Sequence, residues 1–301
     1  MKKIVQSASM LCLFALFASC SSDDSTRPYI EPPTEGPTTR IEKHYYVSDV
    51  QSKSYTIDME HQLNGTYEMT STLSQQDHFV LSYTNDFQLT RLNNTVNEYK
   101  DEKVNNTYVL DYHFELDENN RLKTFDIQRQ GTSLRSFVYH YKNNRLDSNR
   151  LVDEGQVINQ SFTYNDKDQF IRSTITPMNL QFEYGYNNKN QLISMSFFTL
   201  SMEIGYDEGK NPFTLLPFDM TSFVFNEMDF IPLTYHFSTN FNYLKSPENE
   251  KYTIEYTYNE DHYPIKAMMY EVTEKTKTLY REIDYSYTVK EIEVKIEKPQ
   301  N

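Results

Sequence analysis

The sequence predicts an all-β domain of antiparallel β-hairpin repeats that form a twisted or curved sheet, either an open sheet or a partial barrel. From about Tyr45 onward, Val, Ile, Thr, Tyr and Phe alternate with polar residues over short runs, the pattern of half-buried strands. The chain also holds 25 Tyr and 19 Phe, whereas disordered chains are poor in aromatic residues. Finally, an aromatic–x–aromatic triplet followed by a turn rich in Asn and Asp recurs along the chain, which predicts one hairpin per repeat.

The chain begins with a predicted secretory leader, residues 1–19. Lys2 and Lys3 precede a largely apolar run, which is too short to cross a bilayer as a mature helix and ends in small residues. The segment Phe17-Ala18-Ser19-Cys20 resembles the bacterial lipobox, whose Cys is lipidated and becomes the new N-terminus. This resemblance implies that Cys20 carries acyl chains such as palmitate. The alternative is an ordinary signal peptide with an incidental Cys.

A short acidic segment follows Cys20. Ser21, Ser22, Asp23 and Asp24 resemble the export signal of Bacteroidetes surface lipoproteins. The resemblance implies a lipid-anchored outer-membrane protein that is exposed at the cell surface and contacts the membrane through its N-terminal lipid. The alternative is the start of a solvated acidic linker. Residues 20–42, with four Pro among Ser, Thr, Asp and Glu, are predicted to form the lipidated Cys and a disordered tether.

The folded domain is predicted to cover residues 43–301. The second aromatic residue of its clearest repeats lies at Phe114, Tyr141, Tyr164, Tyr186, Tyr206 and Tyr258, with weaker copies at Tyr83 and Tyr287. Residues i and i+2 of a strand share a face, so both aromatic side chains of a triplet are expected to point one way and middle residues such as Thr163 the other. Asn and Asp accept the left-handed backbone of tight turns, which explains a turn-rich chain with 7 Gly.

The aromatic side chains of these repeats have two interpretations. They could form the core of the sheet, or they could form an exposed platform that stacks sugar rings. The absence of Trp, the preferred residue of such platforms, and the period of two both favour the core.

The repeat resembles the YD (RHS-like) repeat, in which Tyr-x-Tyr-Asp precedes a short turn with Gly. Tyr206-Asp207-Glu208-Gly209 matches that pattern best, whereas most other copies have Asn for Asp and Asn or Asp for Gly. The copies are few and irregular, so the large shell of RHS proteins is not expected. The chain also resembles an uncharacterised family of Bacteroidetes lipoproteins of unknown function. Those proteins combine a lipobox, a polar tether, degenerate hairpins and an Asn-Pro-Phe element, here Asn211-Pro212-Phe213.

Residues 207–250 interrupt the repeat and are predicted to be an insertion. A stretch this long is uncommon unless it is functional or structured. It could be a lid that binds a ligand or a partner, or a plug, with a short helix, that packs against one face of the sheet. Its many Phe side chains need burial and therefore favour the plug.

Charge and Cys content exclude several classes of protein. The chain has 29 basic and 43 acidic residues and a net charge of −14, which argues against sequence-independent binding to nucleic acid or anionic lipid. Cys12 leaves with the leader and Cys20 would carry lipid. No disulfide is therefore expected, and packing alone must stabilise the domain.

Catalytic and metal-ligating patterns are not visible in the sequence. His113, His140 and His236 each occupy the middle of an aromatic triplet, but no spacing typical of metal ligands accompanies them. Acidic pairs such as Asp153/Glu154 and Glu260/Asp261 lie in turns, whereas a glycosidase needs two carboxylates held across a cleft at about 5–10 Å. We therefore expect no catalytic residues, no metal and no cofactor.

These observations favour a non-catalytic surface lipoprotein that acts as a binding or structural module. A glycan or another surface protein is the expected kind of partner, and the sequence does not identify the ligand-binding residues. Two alternatives stay open: a hydrolase of an extracellular polymer such as a glycan, and a periplasm-facing lipoprotein that binds an apolar ligand in a curved sheet.

Overall fold

A computed structural model describes residues 39–61, 67–153, 155–198, 200–211, 213, 238–243, 251–273 and 276–295. Residues 41–292 form one compact unit that holds the sheet. Residues 1–40 and 293–301 form a second unit, of which the structure describes only strand residues 39–40 and 293–295. Within the described residues there is no helix, and so none that is long and apolar enough to cross a membrane.

Sixteen strands make up the described fold. They are β1 Thr39–His61, β2 Tyr67–Tyr83, β3 Leu89–Lys100, β4 Lys103–Leu116, β5 Leu122–Arg129, β6 Thr132–Lys142, β7 Arg145–Asp153, β8 Gln156–Tyr164, β9 Phe170–Thr176, β10 Leu180–Tyr186, β11 Leu192–Phe197, β12 Leu200–Tyr206, β13 Ser238–Tyr243, β14 Lys251–Tyr258, β15 Pro264–Val272 and β16 Lys277–Lys295.

The strands form a single antiparallel sheet in which each strand pairs with its neighbours in sequence. The strand order also returns to its start, with β1 between β2 and β16, as in a closed barrel. Side chains join β1 to β16: the Arg281 guanidinium donates to Ser54 Oγ at 2.9 and 3.1 Å, and Tyr55 donates to Glu282 at 3.3 Å. The predicted all-β fold of antiparallel hairpins is confirmed.

Two predicted boundaries differ from the observed strands. β1 begins at Thr39, inside the segment 20–42 that the sequence predicts as tether, and Lys43 and Tyr45 hold this end of the strand through their contacts with Asp261. The predicted insertion 207–250 contains β13, which pairs with β12 on one side and β14 on the other. The repeat is interrupted in sequence there, but the sheet continues.

Each repeat carries a β-bulge next to its turn. The register shifts at the last strand residue before the turn in five hairpins, at Tyr83, Leu116, Tyr164, Tyr186 and Tyr258, and one residue further from the turn at Tyr141. A bulge increases the local twist of a strand, so bulges at the same place in successive hairpins curve the whole sheet. The bulge also corrects one sequence prediction: Leu116, not Phe114, occupies the second aromatic position of its repeat.

The turns beyond these bulges share one construction. In the β8–β9 turn, Asn165 Oδ1 accepts hydrogen bonds from the backbone N–H groups of Lys167 and Gln169 at 2.9 and 3.1 Å. Asp117, Asn187 and Asn259 do the same in their own turns. The residue three positions after this side chain has a positive φ, as at Asp168 with 63°. The Asn or Asp that follows the second aromatic residue therefore closes the turn.

The tyrosine before the turn joins successive hairpins. Tyr164 donates through its hydroxyl to the carbonyl oxygen of Leu146 at 2.8 Å, one hairpin earlier in the sheet. The same bond, at 2.5–3.0 Å, joins Tyr83 to Val47, Tyr141 to Leu122, Tyr186 to Phe170, Tyr206 to Leu192 and Tyr287 to Pro264. We call these bonds the tyrosine links. Each contributes about 0.5–1.5 kcal/mol.

Two groups of buried apolar side chains lie on the inner face of the sheet. The large cluster takes residues from β1–β7, β12 and β14–β16 together with Phe213, and its centre includes the fully buried Phe79, Tyr112, Phe125 and Phe137. The small cluster consists of Phe170, Ile175, Phe182 and Tyr184 on β9 and β10. The prediction that the aromatic residues form the core is confirmed, because aromatic side chains lie at the centre of both clusters. The tyrosines of the links are partly buried, and all of them except Tyr206 pack against one of the two clusters.

Four buried polar side chains form a chain of hydrogen bonds across β7–β10, which we call the polar ladder. Asn149 donates to Gln160 at 3.2 Å, Gln160 donates to Ser173 at 3.1 Å, and the Ser173 and Tyr184 hydroxyls lie 3.0 Å apart. All four residues are at least nine-tenths buried. Buried polar groups are tolerated when they are hydrogen-bonded, and each side chain of the ladder has a hydrogen-bond partner within it.

Candidate functional site

A cleft of about 420 Å³ opens where the first residues of β1 meet the β14–β15 turn and the segment that follows β12. It lies at the end of the sheet that carries the bulges and the Asn/Asp turns. Its lining consists of Ile41, Glu42, Lys43, His44, Tyr45, Lys210, Asp261 and Tyr263. This volume falls within the roughly 300–1,000 Å³ range of small-molecule sites.

Two tyrosine rings form the inner wall of the cleft. Tyr45 of β1 stacks on Tyr263 with ring centroids 4.3 Å apart and planes 25° apart. The edge of the pair is closed by Tyr287, whose ring meets Tyr45 at 5.6 Å in a T-shaped contact. Because Tyr287 is itself held by a tyrosine link, the wall is continuous with the regular part of the sheet.

Asp261 supplies the carboxylate of the cleft. The Asn259 turn positions it, because Asn259 Oδ1 accepts from the backbone N–H of Asp261 at 3.1 Å. Tyr45 donates to Asp261 Oδ2, and Lys43 Nζ lies 3.4 Å from the same oxygen. The hydrogen bond from Tyr45, together with the charges of Lys43 and Lys210, lowers the pKa of Asp261. The same hydrogen bond and burial raise the pKa of Tyr45 to about 12.

Lys210 supplies a second ammonium to the lining of the cleft. Its backbone N–H donates to the His262 carbonyl oxygen at 2.9 Å, which ties the segment after β12 to the β14–β15 turn. Its ammonium nitrogen lies 5.3 Å from the centre of the Tyr263 ring. Within the described residues, no carboxylate lies within ion-pair distance of this ammonium.

Gly209 is required just before Lys210. A Cβ at this position would lie 2.5 Å from the Tyr258 ring, closer than any side chain could tolerate. Tyr258 donates to Asp207 Oδ2, and Asp207 Oδ1 accepts from the Gly209 N–H at 2.8 Å. The Asp207-Glu208-Gly209 segment therefore replaces the usual tyrosine link with a side-chain contact, and this contact places Lys210 at the cleft.

The cleft can bind a small polar ligand. It offers an ammonium, that of Lys210, with no ion pair among the described residues, the ionised carboxylate of Asp261, and an aromatic and aliphatic surface formed by Tyr263 and Ile41. Among the described residues, no group of three or more His, Cys, Asp or Glu side chains could hold a metal ion.

Most residues singled out from the sequence lie elsewhere. Cys20 and Ser21 to Asp24 lie outside the described residues, as does His236. His113 and His140 are exposed on the outer face, and the sheet register does not bring them together, because His113 faces Asp126 and His140 faces Ser148. The interpretation of these two histidines as solvent-facing polar residues is confirmed.

Sequence reasoning missed the residues that form the cleft. Glu260/Asp261 had been noted only as an acidic pair in a turn, and Tyr45 only as the start of the strand pattern. The one available signal is the Asp207-x-Gly209 element, which departs from the Asn-rich turns and directly precedes Lys210. Nothing in the sequence indicates that β1 comes to lie beside a turn more than 200 residues away.

Comparison with known proteins bears on the fold. No protein-family model matches the chain, and no curated protein does. A porin-like protein from Bacteroides uniformis has a similar structure, with a TM-score of 0.52 and 13% identity over 80% of this chain and 98% of that chain. A porin-like protein from Bacteroides vulgatus matches with a TM-score of 0.25 and 11% identity over 81% of this chain and 99% of that chain.

One further match is a chain in a TcdB2-TccC3-Cdc42 structure. It has a TM-score of 0.27 and 12% identity, and it covers 81% of this chain but only 14% of that chain. The two lower scores carry no argument. At 13% identity the Bacteroides uniformis match shows a shared fold alone.

Proposed function

We propose that the chain is a non-catalytic binding module, anchored by lipid to the outer membrane and displayed at the cell surface. The observation that carries the binding role is that the aromatic repeats face inward while a polar cleft opens at one end of the sheet. Phe79, Tyr112, Phe125 and Phe137 have no measurable exposure, so the inner face is occupied by the protein itself. The lipobox at Cys20 and the Ser21–Asp24 segment support the anchor and the outward location.

The resemblance of the repeats to degenerate YD hairpins of Bacteroidetes lipoproteins belongs to the same proposal. The fold supports it, because the Asn or Asp after the second aromatic residue closes each of the shared turns. A surface-displayed scaffold of this kind would present its turns and its cleft to partners, with a glycan or a second surface protein as the expected class.

The cleft gives less support to the alternative of a hydrolase. A glycosidase needs a carboxylic acid whose pKa is raised, so that it is protonated at neutral pH, beside a second carboxylate. Glu42 and Asp261 both line the cleft, but the pKa of Asp261 is lowered. The filled inner face likewise gives no support to an apolar ligand held inside the large cluster.

Labelling and protease treatment test the anchor and the location. In cells fed an alkyne analogue of palmitate, we expect the protein to be labelled and the Cys20→Ala variant to lose the label, because the Cys20 thiol is the acylation site. One acyl chain binds a membrane only marginally, so stable anchoring implies several chains. An unlabelled protein whose N-terminus lies at another residue would refute the anchor.

Protease treatment of intact cells should remove the folded domain if it faces outward. A variant with Ser21–Asp24 replaced by Ala serves as the matched control, and we expect it to be protected until the cells are lysed. Protection of the unchanged protein in intact cells would instead favour the periplasm-facing alternative.

A further inference from the structure

We propose that the cleft binds an acidic saccharide, a polyhydroxylated ligand that carries a carboxylate. This inference rests on the proposed binding function and names the ligand class of its site. Three features of the cleft support it: the Lys210 ammonium, Oδ1 of the Asp261 carboxylate, and the surfaces of Ile41 and Tyr263.

The Lys210 ammonium is the group of the cleft that would bind an anion. Lys43 already lies 3.4 Å from Asp261, and His44 Nε2 lies 3.8 Å from a Glu42 carboxylate oxygen. The Lys210 ammonium lies 5.3 Å from the centre of the Tyr263 ring, and its charge helps to lower the pKa of Asp261, but within the described residues no carboxylate oxygen lies within ion-pair distance of it. The Lys210 ammonium lies at the lining of a cleft, whereas Lys189, which also has no ion pair among the described residues, lies in an exposed turn. An ammonium at the rim of a cleft binds a carboxylate through a charge-assisted hydrogen bond.

The Asp261 carboxylate would accept hydrogen bonds from hydroxyl groups of a ligand. Both of its contacts, from Tyr45 and from Lys43, go to Oδ2. Within the described part of the chain, no side chain donates to Oδ1. An Asp carboxylate is ionised at neutral pH, so this oxygen is an acceptor. A ligand with hydroxyl groups can donate to it, whereas a simple anion would be repelled.

The lining of the cleft also has apolar surface. Ile41 is 67% exposed and Tyr263 is half-buried, so an aliphatic and an aromatic surface lie beside the polar groups. A pyranose ring presents C–H groups on its faces and hydroxyls on its rim. An acidic sugar would contact all three features of the cleft. Its carboxylate would bind Lys210, a pair of its hydroxyls would donate to Asp261 Oδ1, and its C–H groups would pack against Ile41.

Calorimetric titration of the full-length protein in detergent tests the inference, with oligogalacturonate as the probe. The methyl ester of the same oligomer is the matched control, because esterification removes the negative charge and keeps the ring hydroxyls. We expect saturable binding of oligogalacturonate and binding at least about tenfold weaker for the ester, the size of one charge-assisted hydrogen bond.

Variants of Lys210 locate the site. Lys210→Ala should weaken oligogalacturonate binding about tenfold, and Lys210→Arg should retain most of it. Lys189→Ala is the control for a lost surface charge, since Lys189 is exposed in the β10–β11 turn and lies outside the cleft. The unfolding temperature of each variant is measured alongside, so that a loss of fold is not mistaken for a loss of contact.

Three results would overturn the inference: no binding of oligogalacturonate, equal affinity for the oligomer and its ester, or equal losses for Lys210→Ala and Lys189→Ala. Each of them leaves the anchor and the surface location untouched, because those are measured by labelling and protease treatment of cells.

Discussion

The large and the small cluster are built from the same repeat, yet their rings pack differently. In the large cluster, Phe125 stacks nearly parallel to Phe114 at 5.0 Å and to Phe137 at 5.3 Å, with planes 14° and 27° apart. In the small cluster, Phe170 meets Tyr184 at 4.6 Å with planes 73° apart. The first region is a run of stacked rings. The second combines edge-on contacts around Phe170 with one stacked pair, Phe182 and Phe197, whose centroids lie 4.4 Å apart.

One position in the repeat accounts for the difference. β5 and β9 are the strands that leave their turns. The fourth residue of each strand is buried, and it is Phe125 in β5 and Ser173 in β9. Phe125 extends the stack from β4 to β6. Ser173 instead joins the polar ladder with Gln160 and Tyr184. The repeat therefore fixes which positions are buried, while the residue at each position decides whether burial is apolar or polar.

Alkaline pH should produce the largest effect and should act mainly on the large cluster. Burial raises the pKa of Tyr285, a member of the large cluster, well above its usual value, and burial raises the pKa of Tyr206, outside the cluster, to about 12. A raised pKa in the folded state gives stability that is present below pH 10 and is lost as the pH rises through the folded value, at about 1.4 kcal/mol per pH unit for each tyrosine.

The prediction is checked by measuring the free energy of unfolding as a function of pH and recording tyrosinate absorbance in parallel. We expect stability to be level near neutral pH and to fall steeply above pH 10. Titration of every tyrosine of the folded protein near pH 10 would show that the hydroxyls are not buried.

Phe125→Ala should be the most damaging single substitution in the comparison. Removing a fully buried ring leaves a cavity, and such changes cost about 3–5 kcal/mol. Chemical denaturation measures the loss, with the exposed neighbour Lys123→Ala as control. A loss below about 1 kcal/mol would mean that the stack of rings does not carry the stability of this region.

Gln160→Leu should cost less, about 1–3 kcal/mol, through a different mechanism. It keeps the volume but removes the middle of the polar ladder, so Asn149 and Ser173 lose their bonds to Gln160. Asn159→Leu, on the exposed face of the same strand, is the matched control and should change stability little. Equal effects of the two substitutions would show that the ladder contributes nothing beyond burial.

Tyr141→Phe should have the smallest effect, about 0.5–1.5 kcal/mol, because it keeps the ring and removes the tyrosine link to the Leu122 carbonyl. Leu116 occupies the same position in its own hairpin and forms no such link, so one missing link is tolerated in the natural chain. Equilibrium denaturation of Tyr141→Phe against the unchanged protein measures the difference, and a loss of 3 kcal/mol or more would point to a role beyond the hydrogen bond.

The sequence was sufficient for the hairpins, the burial of the aromatic residues and the role of Asn and Asp in the turns, because each depends on residues close in the chain. The polar ladder was missed because Asn149, Gln160 and Ser173 look like solvent-facing residues until three strands place them side by side. The cleft was missed for the same reason: Tyr45 and Asp261 meet only when β1 takes its place beside β16.

The most direct measurement concerns the claim that the repeat aromatics form the core and not a sugar-stacking platform. Thermal unfolding of the full-length protein is compared for Tyr164→Ala and Thr163→Ala, neighbours that point to opposite faces of β8. We predict that Tyr164→Ala lowers the midpoint by several degrees, at roughly 2–4 °C for each kcal/mol lost, and that Thr163→Ala has little effect. A Tyr164→Ala midpoint within about a degree of the unchanged protein, accompanied by weaker glycan binding, would contradict the core assignment.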